Sequence, residues 1–250
     1  MSRHGVAEYL FAPPPQPAIA VVDSTSMYPI HRIFCVGRNY ADHAKEMGAE
    51  VDREAPFYFL KPATGFVPTH SVIPYPPGTS NYHYEMELVV ALGARGYFVR
   101  AEDAPELIFG FAAGLDMTRR DLQLDARKKG RPWDIGKAFE QSAVVGPLVP
   151  RHVFGAIAEQ RISLAVNGVV KQDARLSSLV WSIPQLVSHL SHYYHLGPGD
   201  LIMTGTPAGV GPVVPGDQLV GRIAGLPDLE VAIAAPEPAG AGPESRTARP

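Results

Sequence analysis

Glu85 and Glu87 stand two residues apart in Tyr82-His83-Tyr84-Glu85-Met86-Glu87-Leu88-Val89-Val90-Ala91-Leu92-Gly93, at the mouth of an unbroken apolar run. Residues i and i+2 of a strand share a face. Two carboxylates therefore meet where the chain enters the interior, and burial sharpens their repulsion. A divalent metal with oxygen ligands resolves that conflict; a solvent-facing strand end resolves it without one. Asp116 closes a second apolar run, 110–115, just before a candidate helix. It can complete a metal site with Glu85 and Glu87, although helix capping alone accounts for an Asp there.

His43 and Glu46 lie three apart in Asn39-Tyr40-Ala41-Asp42-His43-Ala44-Lys45-Glu46. On a helix they share a face. A carboxylate that orients an imidazole makes a general base for water; the same spacing also suits an ordinary exposed short helix. Arg119, Arg120, Gln123, Lys128, Lys129 and Lys137 gather around Trp133, and such runs usually form a solvated face. Lys137 differs, because Asp134-Ile135-Gly136-Lys137-Ala138-Phe139 places it between apolar residues, aimed at an anion. Thr204-Gly205-Thr206-Pro207-Ala208-Gly209-Val210-Gly211 can cradle an anion through backbone N–H groups. It is not a nucleotide loop: no Lys-Ser/Thr pair follows and Pro207 interrupts it. His189, His192 and His195 drift around a helix, and their segment reads as amphipathic packing rather than a metal site.

The elements that must position these residues are mostly strands. High Gly and Pro counts punctuate many short segments. Strands are expected over 32–37, 55–60, 86–92, 108–115, 142–148, 162–167, 201–204 and 229–233, with Asn167-Gly168 as a two-residue hairpin turn. Helices are expected over 40–47, 118–129 and 183–194. The strand–helix alternation of a doubly wound fold is missing. A mixed α/β but mostly-β roll or sandwich with a few peripheral helices fits. Residues 1–30 read as an N-terminal extension, 31–233 as the main folded domain and 234–250 as a disordered tail.

With 250 residues and 46% of them hydrophobic, the chain suits one globular domain with a small appendage. A net charge of -3 offers no basic excess for nucleic acid or anionic lipid. No apolar run approaches the ~20 residues of a membrane span, and the start of the chain leads into Pro-rich sequence rather than a signal-peptide core. Cys35, the single cysteine, sits in Ile33-Phe34-Cys35-Val36 and reads as a buried, inert thiol. It fits a reducing cytosol.

Taken together, six segments resemble the fumarylacetoacetate hydrolase superfamily. They are Val36-Gly37-Arg38-Asn39-Tyr40-Ala41-Asp42-His43, Leu60-Lys61-Pro62, Glu85-Met86-Glu87, Leu115-Asp116-Met117-Thr118-Arg119-Arg120-Asp121-Leu122-Gln123, Gly136-Lys137-Ala138-Phe139 and the loop 204–211. The resemblance runs from about 33 to 233. It is strongest, over 121–139, to the branch that hydrolyses fumarylpyruvate in gentisate-type aromatic catabolism. The acylpyruvate hydrolase and oxaloacetate decarboxylase branch and the isomerase/decarboxylase branch are alternatives. A non-catalytic binding module would need no water-activating pair.

The resemblance implies a β-sandwich roll, a homodimer and a small 2-oxo acid substrate, while composition points to a cytoplasmic protein with no nucleic-acid or membrane partner. The resemblance also implies a metal-dependent hydrolase that cleaves the C–C bond of a β-diketo acid such as 3-fumarylpyruvate. By position, Glu85, Glu87 and Asp116 match the family's ligands for Mg²⁺ or Mn²⁺. His43 and Glu46 match the pair that activates water. Lys137 and Gln123 match groups that bind substrate and steady negative charge. Arg120 matches a position near the substrate carboxylate, and Thr206 lies in the segment that closes on the substrate's acidic end. A distal carboxylate would call for a further cation, with Arg38, Arg119 and Arg131 as candidates.

Overall fold

The apolar run after Glu85 forms the strand Met86–Leu92, which is buried at every position. A strand buried on both faces needs apolar residues without alternation, and this one lies mid-sheet. The computed structural model describes residues 9–46, 48 and 54–238. Met86–Leu92 belongs there to a mixed sheet of eight strands. The order is Tyr58–Lys61, Arg32–Val36, Asp200–Met203, Met86–Leu92, Ile108–Asp116, Ala143–Val145 and Phe66–Pro68, with Val149–Pro150 also paired to Ile108–Asp116.

A second sheet has the order Val169–Arg175, Arg161–Val166, Gln218–Ile223, Leu229–Ala234 and Ser71–Pro74. Arg161–Val166 and Gln218–Ile223 lie against Met86–Leu92 and Ile108–Asp116. Leu88, Val90, Ile162, Leu164, Leu219 and Val231 fill the space between the sheets. The other face of the larger sheet is covered by the ribbon of Ala18–Ala20 and Met27–Pro29, whose Ile19 and Tyr28 pack with Ile33, Val89 and Leu201. Residues 18–30 are thus laid on the sheet. The helices Ala41–Glu46, Arg120–Lys128, Asp134–Lys137, Arg151–Phe154 and Ile183–Ser191 are short. The architecture is the mostly-β sandwich roll that the sequence implies.

The expected hairpin turn forms at Asn167 and Gly168, both with positive φ (50° and 77°), between paired Val166 and Val169. The expected helix 118–129 starts later, at Arg120. Thr118 and Arg119 instead pair with His83 and Tyr82 in a small sheet completed by Gly211–Pro212. Asp116 and Thr118 therefore do not cap that helix. Arg119 holds the cap position without a side-chain bond, and Asp116 ends the strand. The expected helix 183–194 ends at Ser191; Ser182 and Gln185 form a capping box at its start. Met47, the expected end of the helix at 40–47, lies outside the described residues. So do 1–8 of the expected N-terminal extension and 239–250 of the expected tail.

Strands at Phe66–Pro68, Ser71–Pro74, Tyr82–Tyr84 and Gln218–Ile223 were not expected. The first two end in Pro and stand at sheet edges, where Pro is tolerated and the alternation signal is short.

Candidate active site

Strand register brings the three carboxylates together. Met86 pairs with Leu115, and the Asp116 N–H donates to the Glu85 carbonyl at 2.9 Å. Glu85, Glu87 and Asp116 are all buried, and one oxygen from each lies within 4.8 Å of the others.

Buried cations surround them. Lys137 Nζ donates to Glu85 Oε2 (2.9 Å), Asp116 Oδ2 (2.8 Å) and Thr118 Oγ1 (2.7 Å). Those three bonds use every N–H of the ammonium. Burial works against the Lys137 charge, but Asp116 and Glu85 outweigh it and hold the group above the usual lysine range. Arg120 donates to Glu85 Oε1 and, at 3.2 Å, to Gln123 Oε1. Burial alone would raise the Glu85 pKa; Lys137 and Arg120 overcome it and hold the carboxyl well below its ordinary range. Lys61 Nζ stands 2.9 Å from Asp116 Oδ1. It approaches off the hydrogen-bond direction, so Oδ1 has an ionic neighbour and no hydrogen bond. The Lys61 ammonium donates instead to the carbonyls of Met117 (3.0 Å) and Lys137.

Glu87 has a different environment. Its Oε2 accepts the Gly205 N–H at 2.8 Å. Burial, then Asp116 and Glu85, push its pKa well above the carboxylate range. A hard oxygen donor set converging on one point, with one carboxylate lacking a hydrogen bond on Oδ1 and another destabilised as an anion, fits a divalent ion. Gly205 sits at φ +95°, and a Cβ there would lie 2.8 Å from the Asn39 Cβ, so only glycine brings this N–H to Glu87.

His43 and Glu46 meet across one turn of Ala41–Glu46, with Nδ1 3.3 Å from Glu46 Oε2. An Nδ1–H donated to Glu46 leaves Nε2 as the acceptor. Burial lowers the His43 pKa below its ordinary value, against the pull of Glu85 and Glu46. Glu46 is anchored in turn by the Gly209 N–H, at 3.2 and 3.1 Å from its two oxygens. The helix is thereby tied to the 204–211 loop. His43, Glu85, Glu87, Arg120, Gln123, Lys137 and Thr206 line a single cleft.

A family model described as fumarylacetoacetate (FAA) hydrolase C-terminal matches residues 32–234. The chain belongs to the fumarylacetoacetate hydrolase family. Fumarylpyruvate hydrolase of Ralstonia sp is 51% identical over 190 residues, 75% of this chain and 98% of that protein. The mitochondrial oxaloacetate tautomerase FAHD1 of Mus musculus is 43% identical over 194 residues, 78% of this chain and 87% of that protein. The crystal structure of fumarylpyruvate hydrolase from Pseudomonas aeruginosa, in complex with Mn²⁺ and pyruvate, superposes with a TM-score of 0.89. It has 46% sequence identity and covers 91% of this chain and 100% of that one.

Every site residue expected from the sequence of this family member thus lies at the cleft or, for Asp116 and Glu46, directly behind its walls. The basic run around Trp133 divides: Arg120 and Gln123 are buried, while Lys128 and Lys129 are exposed, Lys129 pairing with Asp125 at 2.7 Å. His189, His192 and His195 do not converge; His189 and His195 stack on Tyr58 and Tyr97, and His192 lies tilted against Phe98. Cys35 is fully buried, and burial raises its thiol pKa.

Sequence reasoning assigned no role to Lys61, Asn39, Gln172 or His83. Lys61 ends a strand that begins with Tyr58 and Phe59, and a lysine in such company is a readable sign of a buried charge. Asn39 donates to the Trp181 and Thr204 carbonyls (3.0 and 2.9 Å) and accepts the Trp181 N–H at 2.6 Å, pinning two loops beside the cleft. His83 is pushed down to about 4 by burial and by Arg120, and so is neutral.

Proposed function

We propose that the protein is a divalent-metal-dependent hydrolase that cleaves 3-fumarylpyruvate, a β-diketo acid, to fumarate and pyruvate. The observation that carries this reading is that His43 and the Glu85 and Glu87 carboxylates line one cleft, with Glu46 behind the imidazole and Asp116 beside the two glutamates. A site for metal binding alone needs no oriented imidazole. The names of the Ralstonia and Pseudomonas relatives support the choice of substrate.

Glu85, Glu87 and Asp116 would hold the ion, Mg²⁺ or Mn²⁺. Bound there, a divalent ion supplies Lewis-acid polarisation of the substrate's 2-oxo acid end. His43 takes a proton from water through Nε2, while Glu46 fixes the ring and stabilises the imidazolium. The hydroxide oxygen adds to the acyl carbonyl carbon, and the carbonyl electron pair moves onto oxygen. Gln123 steadies that oxyanion: Arg120 occupies its Oε1, which leaves the amide N–H groups for the cleft. Lys137 contributes its field, its three N–H groups being engaged with Glu85, Asp116 and Thr118. As the C=O bond re-forms, the C–C bond breaks and its electron pair leaves with the pyruvate fragment. The imidazolium returns its proton to that carbon. Fumarate forms on the other side, so one water is consumed in all.

The same reading places the catalytic unit at residues 31–233, with 1–30 as an extension and 234–250 as a tail. It carries Mg²⁺ as the resident ion, a homodimer and a cytoplasmic, gentisate-type role. No described helix is long and apolar enough to cross a membrane.

The test is turnover of 3-fumarylpyruvate, followed by loss of its enol absorbance, beside oxaloacetate and acetylpyruvate, each with Mg²⁺. Preferential loss of fumarylpyruvate supports the reading. Action on oxaloacetate alone moves the protein to the branch of the Mus musculus relative, where the metal site stands and water addition falls.

A further inference from the structure

The cleft has a second cationic wall beyond the groups that face the carboxylates. Helix Arg120–Lys128 presents Arg120, Gln123 and Arg127 at i, i+3 and i+7, on one side, and all three line the cleft. Arg120 is engaged with Glu85 and Gln123. At 1.5 Å rise per residue, Arg127 lies about 10 Å further along the axis. That is the span of an extended short-chain dicarboxylate.

Arg38 reaches the same cleft from another element. It follows the strand Arg32–Val36 with φ +68°, a conformation costly for a residue with a side chain. Its guanidinium lies 5.4 Å from the centre of the Phe57 ring. Burial and then the like charge of Arg127 disfavour the Arg38 cation. Two guanidinium groups close enough to repel, on one cleft wall, attract an anion and can fork onto it.

The other two arginines considered for such a role are elsewhere. Arg119 lies over the Phe139 ring at 4.2 Å and donates to the Ile135 carbonyl at 3.2 Å, and Arg131 is exposed; neither lines the cleft.

We propose that Arg38 and Arg127 form a subsite for the substrate's far carboxylate, so that the enzyme selects acylpyruvates ending in an acid over those ending in a methyl group. The proposal rests on the reading of the reaction given above, with the 2-oxo acid end beside Arg120 and the acyl chain lying along the helix toward Arg127. The diacid is then held at both ends, which fixes the acyl carbonyl near His43 and Gln123.

The experiment has two arms, both on the Mg²⁺-loaded protein. In the first, kcat/KM is measured for 3-fumarylpyruvate and acetylpyruvate in the wild type, Arg38→Gln, Arg127→Gln and Arg127→Lys. Each Gln variant should lower the ratio of the two values by about 10- to 100-fold, mainly through KM, the scale of a lost charge-assisted pair. Arg127→Lys should recover part of it. Equal losses on both substrates overturn the proposal. The second arm needs no turnover: calorimetric titration with 2-oxoadipate and with 2-oxohexanoate, which differ only in the far carboxylate. The wild type should prefer the diacid, and both Gln variants should lose the preference. A wild type without preference overturns the subsite. Preference for the diacid without cleavage of either acylpyruvate would keep the subsite and strike the reaction.

Discussion

Replacing Gln172 with leucine should both destabilise the fold and loosen the site. Gln172 is the one buried residue of the exposed strand Val169–Arg175. Its Oε1 accepts the Met86 N–H at 2.9 Å, between Glu85 and Glu87. Its Nε2 donates to Thr206 Oγ1 and to the Pro207 carbonyl, each at 2.8 Å. One side chain thus ties the carboxylate-bearing strand to the loop that borders the cleft. Leucine has a similar volume, so packing is kept and only the polar links go. The Thr206 hydroxyl can rotate to another partner, but the Met86 N–H and the Pro207 C=O are left buried and unpaired. Each such group costs about 1–3 kcal/mol, so the expected loss is ~2–6 kcal/mol. Urea denaturation read by tryptophan fluorescence measures it, and steady-state kinetics with Mg²⁺ should show a raised KM. A loss below about 0.5 kcal/mol, within the range of an inconsequential surface change, together with an unchanged KM, would refute the assignment of Gln172 as the link.

His43→Ala should lower kcat by ~10² or more, the scale of a lost general base, while calorimetry finds Mg²⁺ affinity intact; normal turnover removes His43 from the water-activating role. Because the base must be unprotonated, kcat/KM should fall as pH drops through a His43 pKa that burial holds below the ordinary histidine value. Glu46→Gln keeps an acceptor for the Nδ1–H but removes the charge that raises that pKa, so the acid limb should move to lower pH as the plateau falls; a limb moving upward contradicts the pairing. Glu87→Gln should weaken Mg²⁺ binding by roughly 10-fold or more, and an unchanged titration takes Glu87 out of the metal site. Gly209→Ala places a Cβ 2.1 Å from the Lys171 carbonyl oxygen at φ +96°. Beyond the ~1–2 kcal/mol of left-handed backbone strain, the forced shift should draw the Gly209 N–H off Glu46 and lower kcat; wild-type kinetics would show that this anchor does not orient the pair.

The carboxylate cluster was legible because a strand has a fixed period. Glu85 and Glu87 share a face wherever the register falls, and Asp116 ends the neighbouring run. What the sequence left open was whether Asp116 capped a helix, and strand pairing at Thr118 and Arg119 decides that. His43 and Glu46 were legible from helical spacing, yet their third partner, the Gly209 N–H, is a backbone group 163 residues away that no pattern announces. Gln172 was hidden because its strand alternates weakly and all its other residues are exposed or half-buried. Arg127 was not singled out within the basic run, although its seven-residue spacing from Arg120 marks the inward face. The long central strand was plain because burial on both faces leaves an uninterrupted apolar run. The short edge strands, ending in Pro or carrying Gly, owe their pairing to the sheet beside them more than to their own composition.

The central claim is that one cleft joins a divalent metal to a water-activating histidine in order to hydrolyse a C–C bond. Its most direct test is the release of fumarate and pyruvate from 3-fumarylpyruvate, quantified for the Mg²⁺-loaded enzyme and again after removal of divalent ions with EDTA. Equimolar fumarate and pyruvate, abolished by EDTA and restored by Mg²⁺, is the predicted result. Consumption of the substrate without fumarate, or release unaffected by EDTA, would contradict it.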